Sequence, residues 1–365
     1  MNPFAPGDFA ADSLVALGGS SIFTLYDLLG DRVMDFLSDR GTADHAADEL
    51  WPPVRRLYEY YLSEGWTGFD RTITRSFSDW NLPRGTTLPE RIVQAHQPAL
   101  ALTSALVTPG QPVTQFHERF MRKHVAAATR PTYLSLLESD EAAGKIRALQ
   151  RSVFDVIELF VNRREAWLIG ALPRFIDPQR LPDLERLTLA RDEFSETRDL
   201  FQQAFEVISK TLVYPIAAQN TIKRGHPGDF GKAHPTLVPV RSRPTSLAKY
   251  QQLANAYKIA YAAEVPGWEG FTSILDNRVR NTIGHASVRH DLRSGRVVSG
   301  SDATSVDYMT FLRGVYDLFD ALAATLQVLR SVRITATRRP TSGPATASGT
   351  ATGAGNEPPD IQPSP

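Results

Sequence analysis

Arg280-Asn281-Thr282-Ile283-Gly284-His285 brings a guanidinium, a carboxamide and an imidazole into one short stretch. A histidine of ordinary pKa can take or give a proton near neutral pH. An arginine fork grips phosphate oxygens in bidentate fashion, and an asparagine can orient either partner or a sugar. These groups suit scission of a ribose phosphodiester. That reaction needs a 2′-hydroxyl deprotonated, a leaving 5′-oxygen protonated and the charge on the scissile phosphate neutralised. It requires no metal, and the sequence offers no convincing ligand cluster.

The elements around the stretch must position it. Apolar spacing predicts a helix over Trp268–Ile283, with Trp268, Phe271, Leu275, Val279 and Ile283 in one stripe. Asn277, Asn281 and His285 then follow one another at i, i+4 and i+8 on the opposite side, flanked by Arg278 and Arg280. Gly284 is suited to end that helix, leaving His285 near its C-terminus, where the dipole favours the protonated form. Next, ASVRHD-LRSG-RVVS predicts two short strands around a Ser-Gly turn. That hairpin would hold Arg289 and His290 near the motif as phosphate contacts. A final helix over Ser305–Val332 carries Tyr308, Phe311, Val315, Leu318 and Leu322 at helical spacing. This stripe serves either the core or contact with a second copy of the chain.

At these residues the chain resembles the HEPN superfamily, helical domains found in bacterial toxins, antiviral systems and RNA-processing factors. Its catalytic members carry an arginine, a polar residue that is commonly asparagine, and a histidine, spaced R-N-x-x-x-H. Here those positions are Arg280, Asn281 and His285, late in the domain, before a small extended excursion and a last helix. The resemblance covers about residues 140–335. It implies a homodimer whose two motifs face one cleft, which would supply a second histidine for the paired acid and base roles. In that reading His285 is the general acid/base, Arg280 the phosphate clamp and Asn281 the orienting residue, with Asn277, Arg278, Arg289 and His290 contacting substrate.

The rest of the chain is mostly helical, with segments expected over Ser21–Leu37, Ala43–Ser63, Pro89–Leu106, Val113–Glu138, Glu141–Leu172, Leu187–Lys223 and Ser246–Glu264. Within RALQRSVFDVIELFVNRREAWLIGAL, Leu149, Val153, Val156, Ile157, Phe160, Val161 and Trp167 form the apolar face of a bundle helix. Pro- and Gly-rich residues 225–244 predict a long loop. The expected organisation is an all-α bundle with one small β-hairpin. It divides into an N-terminal helical region (1–139), a HEPN-like domain (140–335) and a disordered tail (336–365) nearly free of large apolar residues.

Composition narrows the function classes. The chain lacks cysteine, which excludes disulfides, thiolate catalysis and cysteine-ligated metals. Forty basic residues balance forty acidic ones, so any hold on nucleic acid must be local. Two stretches are locally basic, one with Lys223, Arg224, Lys232, Arg241 and Arg243, the other from Arg278 to Arg296. With no signal-like N-terminus and no membrane-length apolar run, a cytoplasmic location is expected. His117 and His124 lie seven apart, unlike the i, i+4 pairing of a helical metal site, and are expected on the surface. His226 and His234 are expected to be exposed loop residues; GDFGK lacks the P-loop spacing, and no nucleophile elbow is present. The expectation is a metal-independent endoribonuclease acting without a cofactor, restrained by a sensor or antitoxin partner. The competing class is a non-catalytic HEPN-like module for dimerisation or for binding nucleotide or RNA.

Overall fold

Prolines and glycines decide where most helices of this chain stop. A computed structural model describes residues 26–181, 194–275, 289–291, 296–298 and 305–338. Helix α1 (Val33–His45) runs through a wider π-type turn (Ala46–Leu50) into α2 (Trp51–Leu62). The wider turn immediately precedes Pro52 and Pro53, which take two N–H groups out of the helical ladder. Helix α3 (Trp66–Ser76) follows, then α4 (Leu88–Leu106), which Thr87 and Glu90 close with a capping box.

The single helix expected over Val113–Glu138 is two, α5 (Gln111–Ala127) and α6 (Pro131–Ala142). Pro131 forces Arg130 into an extended conformation (ψ 124°) and restarts the helix. Gly144, at φ +70°, then separates α6 from α7 (Lys145–Asn162), splitting the helix expected over Glu141–Leu172. A turn at Arg164–Trp167 and a 3-10 segment at Leu168–Arg174 complete that stretch. Likewise the helix expected over Leu187–Lys223 breaks at Leu212 into α8 (Phe194–Thr211) and α9 (Val213–Arg224), where Pro215 leaves the Thr211 carbonyl without its helical donor. Three short helices follow, α10 (Leu247–Gln251), α11 (Asn255–Ala263) and α12 (Glu269–Ile274).

The expected hairpin is present and gains a third strand. Strands β1 (Arg289–Asp291), β2 (Arg296–Val298) and β3 (Ser305–Asp307) form an antiparallel sheet in that order, with His290 opposite Val297 and Val297 opposite Val306. Asp307 leaves the sheet to cap helix α13 (Tyr308–Thr337), accepting the Thr310 N–H at 3.0 Å. At 30 residues α13 is about 45 Å long, and it packs against α4, α5, α6, α7, α8 and the 3-10 segment. Tyr308, Phe311, Val315, Leu318 and Leu322 are at most 1% exposed. That stripe is therefore intramolecular core and offers no surface to a second copy. The helix also runs two residues into the expected tail; residues 339–365 lie outside the described ones.

One hydrophobic core joins helices from both sides of Ser139-Asp140. The boundary expected there falls in the last turn of α6. Across it runs a buried polar network. Arg333 on α13 donates to Glu141 on α6 at 2.8 Å and to Gln150 on α7 at 3.0 Å, with its guanidinium 4.9 Å from the Tyr61 ring centre on α2. Gln150 donates its amide to His96 Nε2 on α4 at 2.9 Å, so that imidazole is neutral with its proton on Nδ1. Burial, reinforced by the Arg330 and Arg333 charges, holds His96 well below the usual histidine range. Among the described residues no helix is long and apolar enough to cross a membrane.

Candidate functional site

Asn277, Arg278, Arg280, Asn281 and His285 fall in 276–288, outside the described residues. Arg289 and His290 are the first two residues of β1. What the structure gives is the frame that delivers and receives this segment.

The approach differs from the helix expected over Trp268–Ile283. Helix α12 ends at Ile274, and Leu275 leaves helical geometry with ψ 46°. Two hydroxyls act against continuation: Thr272 donates to the Glu269 carbonyl at 3.1 Å and Ser273 to the Gly270 carbonyl at 2.7 Å. The start of the apolar stripe is as expected, since Trp268, Phe271 and Leu275 are at most 1% exposed. Phe271 stacks on Phe116 of α5 with ring centres 3.8 Å apart. The expected helix thus ends at Ile274 among the described residues, and the Asn277–Asn281–His285 ridge lies outside them. On the far side β1 contacts α8, and β2 and β3 contact α13.

A cleft of about 370 Å³ opens where the chain leaves α12. Ser273 and Ile274 line one side, Gly110 and Arg174 another, and Arg313, Asp317 and Asp320 of α13 the floor. Arg174 reaches Asp317 at 3.4 Å and stacks over Tyr316 at 4.5 Å; Arg313 approaches the other Asp317 oxygen at 3.9 Å. The Gly110 N–H donates to Asp320 at 2.7 Å. Burial raises Asp317 against the pull of both arginines. Burial likewise pushes Asp320 up to about 6, opposed by the Gly110 N–H and Arg174 and aided by Asp317. A carboxyl titrating there can exchange a proton near neutral pH, while a phosphate would have to compete with Asp317 for the two guanidiniums. These residues were missed in the sequence. The available signal was two aspartates, three apart, on a helix otherwise apolar on nearly every side, VYDLFDALAA.

Asp320 gives a pH-dependent expectation. The unfolded carboxyl titrates near 4, so between about pH 4 and 6 the folded chain keeps a proton that the unfolded chain has released. Stability attributable to this group therefore falls as pH rises through that window, and the full cost remains at pH 7. Asp320→Asn keeps an acceptor for Gly110 and is expected to raise unfolding free energy by about 1–3 kcal/mol at pH 7 and little at pH 4. Urea titrations at the two pH values check this; an equal gain at both would contradict it.

The remaining histidines divide. His226 is exposed, whereas His234, half-buried, pairs with the Tyr261 hydroxyl at 2.7 Å. His117 is half-buried on a second, adjoining cavity that it shares with Asp320. His124 corrects the surface expectation: it is 2% exposed, between the Tyr133 hydroxyl at 3.0 Å and Thr335 Oγ1 at 2.8 Å. Residue type suggested surface, but the third face of α5 lies against α13, and burial depresses this imidazole to about 4.

Comparisons with family models, with curated proteins and with solved structures gave no match to this chain.

Proposed function

We propose that the chain is a metal-independent endoribonuclease that cleaves RNA through attack of the 2′-hydroxyl. His285 moves the proton, Arg280 holds the scissile phosphate and Asn281 orients the reacting groups. Asn277, Arg278, Arg289 and His290 extend the contact along the backbone. The observation that carries the reading is the order of elements around the motif. A short helix, the R-N-x-x-x-H segment, a small antiparallel sheet and a long last helix follow one another in an otherwise helical chain. The cleft beside α12, with Arg174, Arg313 and the raised carboxyl of Asp320, supports it as a place for phosphate and a proton. Such an enzyme belongs in a bacterial toxin or antiviral defence system, in the cytoplasm, restrained by a sensor or antitoxin partner. It acts as a homodimer, since one histidine per chain is thin for both acid and base roles.

The test is purified full-length protein with labelled total RNA in EDTA. The expected result is cleavage that survives chelation and disappears in His285→Ala and in Arg280→Ala, both with unchanged circular dichroism and melting temperature. Light scattering at the assay concentration should show a dimer. RNA bound but never cut favours the non-catalytic binding module, and cleavage unchanged in both variants ends the assignment. The full chain is needed because α4 and α5 pack directly on α13.

A further inference from the structure

Although the chain is neutral overall, its cations are unevenly placed. Helices α5 and α9 lie side by side, tied by Lys123 Nζ donating to Gln219 at 2.6 Å. Arg119, Arg122 and Lys123 line this part of α5, and Lys223 and Arg224 end α9. The loop beyond α9 returns against the same end. The Arg224 side chain packs 3.3 Å from the position a Cβ would take on Gly231, and the exposed Lys232 follows it in the chain. Phe230 anchors the loop by stacking on Tyr250, with ring centres 5.4 Å apart.

The charges on this face reinforce one another. Burial, then the charges of Arg119, Arg122 and Lys223, hold Lys123 below the usual lysine range. Burial, then Arg243 and Arg224, lower His234. The nearby acids are Asp229, engaged by Arg224 at 3.9 Å, Glu269, beside Arg119, and the exposed Glu118, one turn before Arg122 on α5. Arg122, Lys223, Lys232 and Arg243 are exposed and, among the described residues, enter no ion pair. Elsewhere many arginines are matched, Arg55, Arg91, Arg164 and Arg333 among them. A run of unmatched, solvated cations in a neutral protein is an electrostatic footprint for a polyanion.

We propose that the face built from α5, the end of α9 and the loop 225–244 binds the phosphodiester backbone of RNA. The choice of RNA among polyanions rests on the endoribonuclease reading. At one end of this face Arg119 donates to the Pro266 carbonyl at 3.2 Å, just before α12, the helix that precedes the motif in sequence. The contact is mainly with backbone, because the large apolar side chains exposed here, Ile222, Leu237 and Val240, are aliphatic, leaving the exposed His226 imidazole as a ring for stacking.

The test is fluorescence anisotropy with a labelled single-stranded RNA in EDTA, using the full chain with His285→Ala so that substrate is not consumed. Adding Arg122→Glu, Lys223→Glu and Arg243→Glu is expected to weaken Kd by about 10- to 100-fold at low salt. It should also lower the slope of log K against log salt by about 2, near 0.7 per lost contact. Arg56→Glu, Arg71→Glu and Arg75→Glu change net charge equally at exposed positions on α2 and α3 and should leave binding unchanged. Equal weakening by both triples would assign the effect to net charge and overturn the proposal, as would unchanged binding in the first triple. Polyglutamate competing as well as RNA would overturn it too, in favour of an acidic protein partner. If RNA binds through this face while the unmutated motif cuts nothing, the surface stands and the nuclease reading falls.

Discussion

Arg333→Met is expected to lower the unfolding free energy by about 3–5 kcal/mol, a large part of what holds a domain together. Arg333 is 1% exposed and its guanidinium is shared between Glu141 and Gln150. Methionine fills much of the volume but leaves the half-buried Glu141 carboxylate with no cation. The loss comes from that stranded charge rather than from the attraction of the pair, since a buried pair recovers little more than the cost of its own desolvation. The double variant Arg333→Met, Glu141→Gln should therefore recover a substantial share. Urea denaturation followed by circular dichroism measures both. A single variant costing under about 1 kcal/mol, or a double variant costing the sum of two singles, would contradict this account of the network.

Gly170→Ala is the second large effect. An added Cβ would stand 2.3 Å from the Leu312 carbonyl oxygen and 3.1 Å from Tyr316 Cβ. The obstacle is the backbone of α13, which cannot swing aside as a side chain would. The 3-10 segment and the central helix must separate, at a cost of about 3 kcal/mol. Gly314→Ala provides the contrast on α13 itself. Its new Cβ meets only a Phe201 ring carbon at 3.7 Å, an ordinary contact, so the substitution should stabilise by about 0.5–1 kcal/mol through helix propensity. Thermal melts of the two variants should move in opposite directions. Equal shifts would mean that the close approach at Gly170 is relieved without separating the helices.

Helical class was legible because period is written in residue type: Val153, Ile157 and Phe160 mark the buried side of α7. Breaks were less legible. Pro131 and Gly144 stand inside continuous apolar periods, and the period hides the stop that the backbone imposes. The polar interior was not legible at all. His96, Gln150 and Arg333 are surface types by composition, and only the meeting of five helices gives them partners. At the candidate site the hairpin was readable. The cleft was not, because Arg174, Asp317 and Asp320 come from elements far apart in sequence. The end of α12 was misread since Thr272 and Ser273 act through their hydroxyls, which an apolar stripe does not register.

The central position of α13 also bears on how the protein is made. Its binding partners α4 to α8 are synthesised first, yet the helix that fills the space between them follows every other described helix in the chain. At about 5–20 residues per second, Leu106 precedes Tyr308 by tens of seconds of translation. During that interval the nascent chain holds apolar faces with nothing to cover them, open to chaperones. A ribosome that halts before the last helix releases a product with no completed core. For a chain whose proposed chemistry would cut the cell's own RNA, a core that only α13 completes would keep truncated products from reaching an active fold.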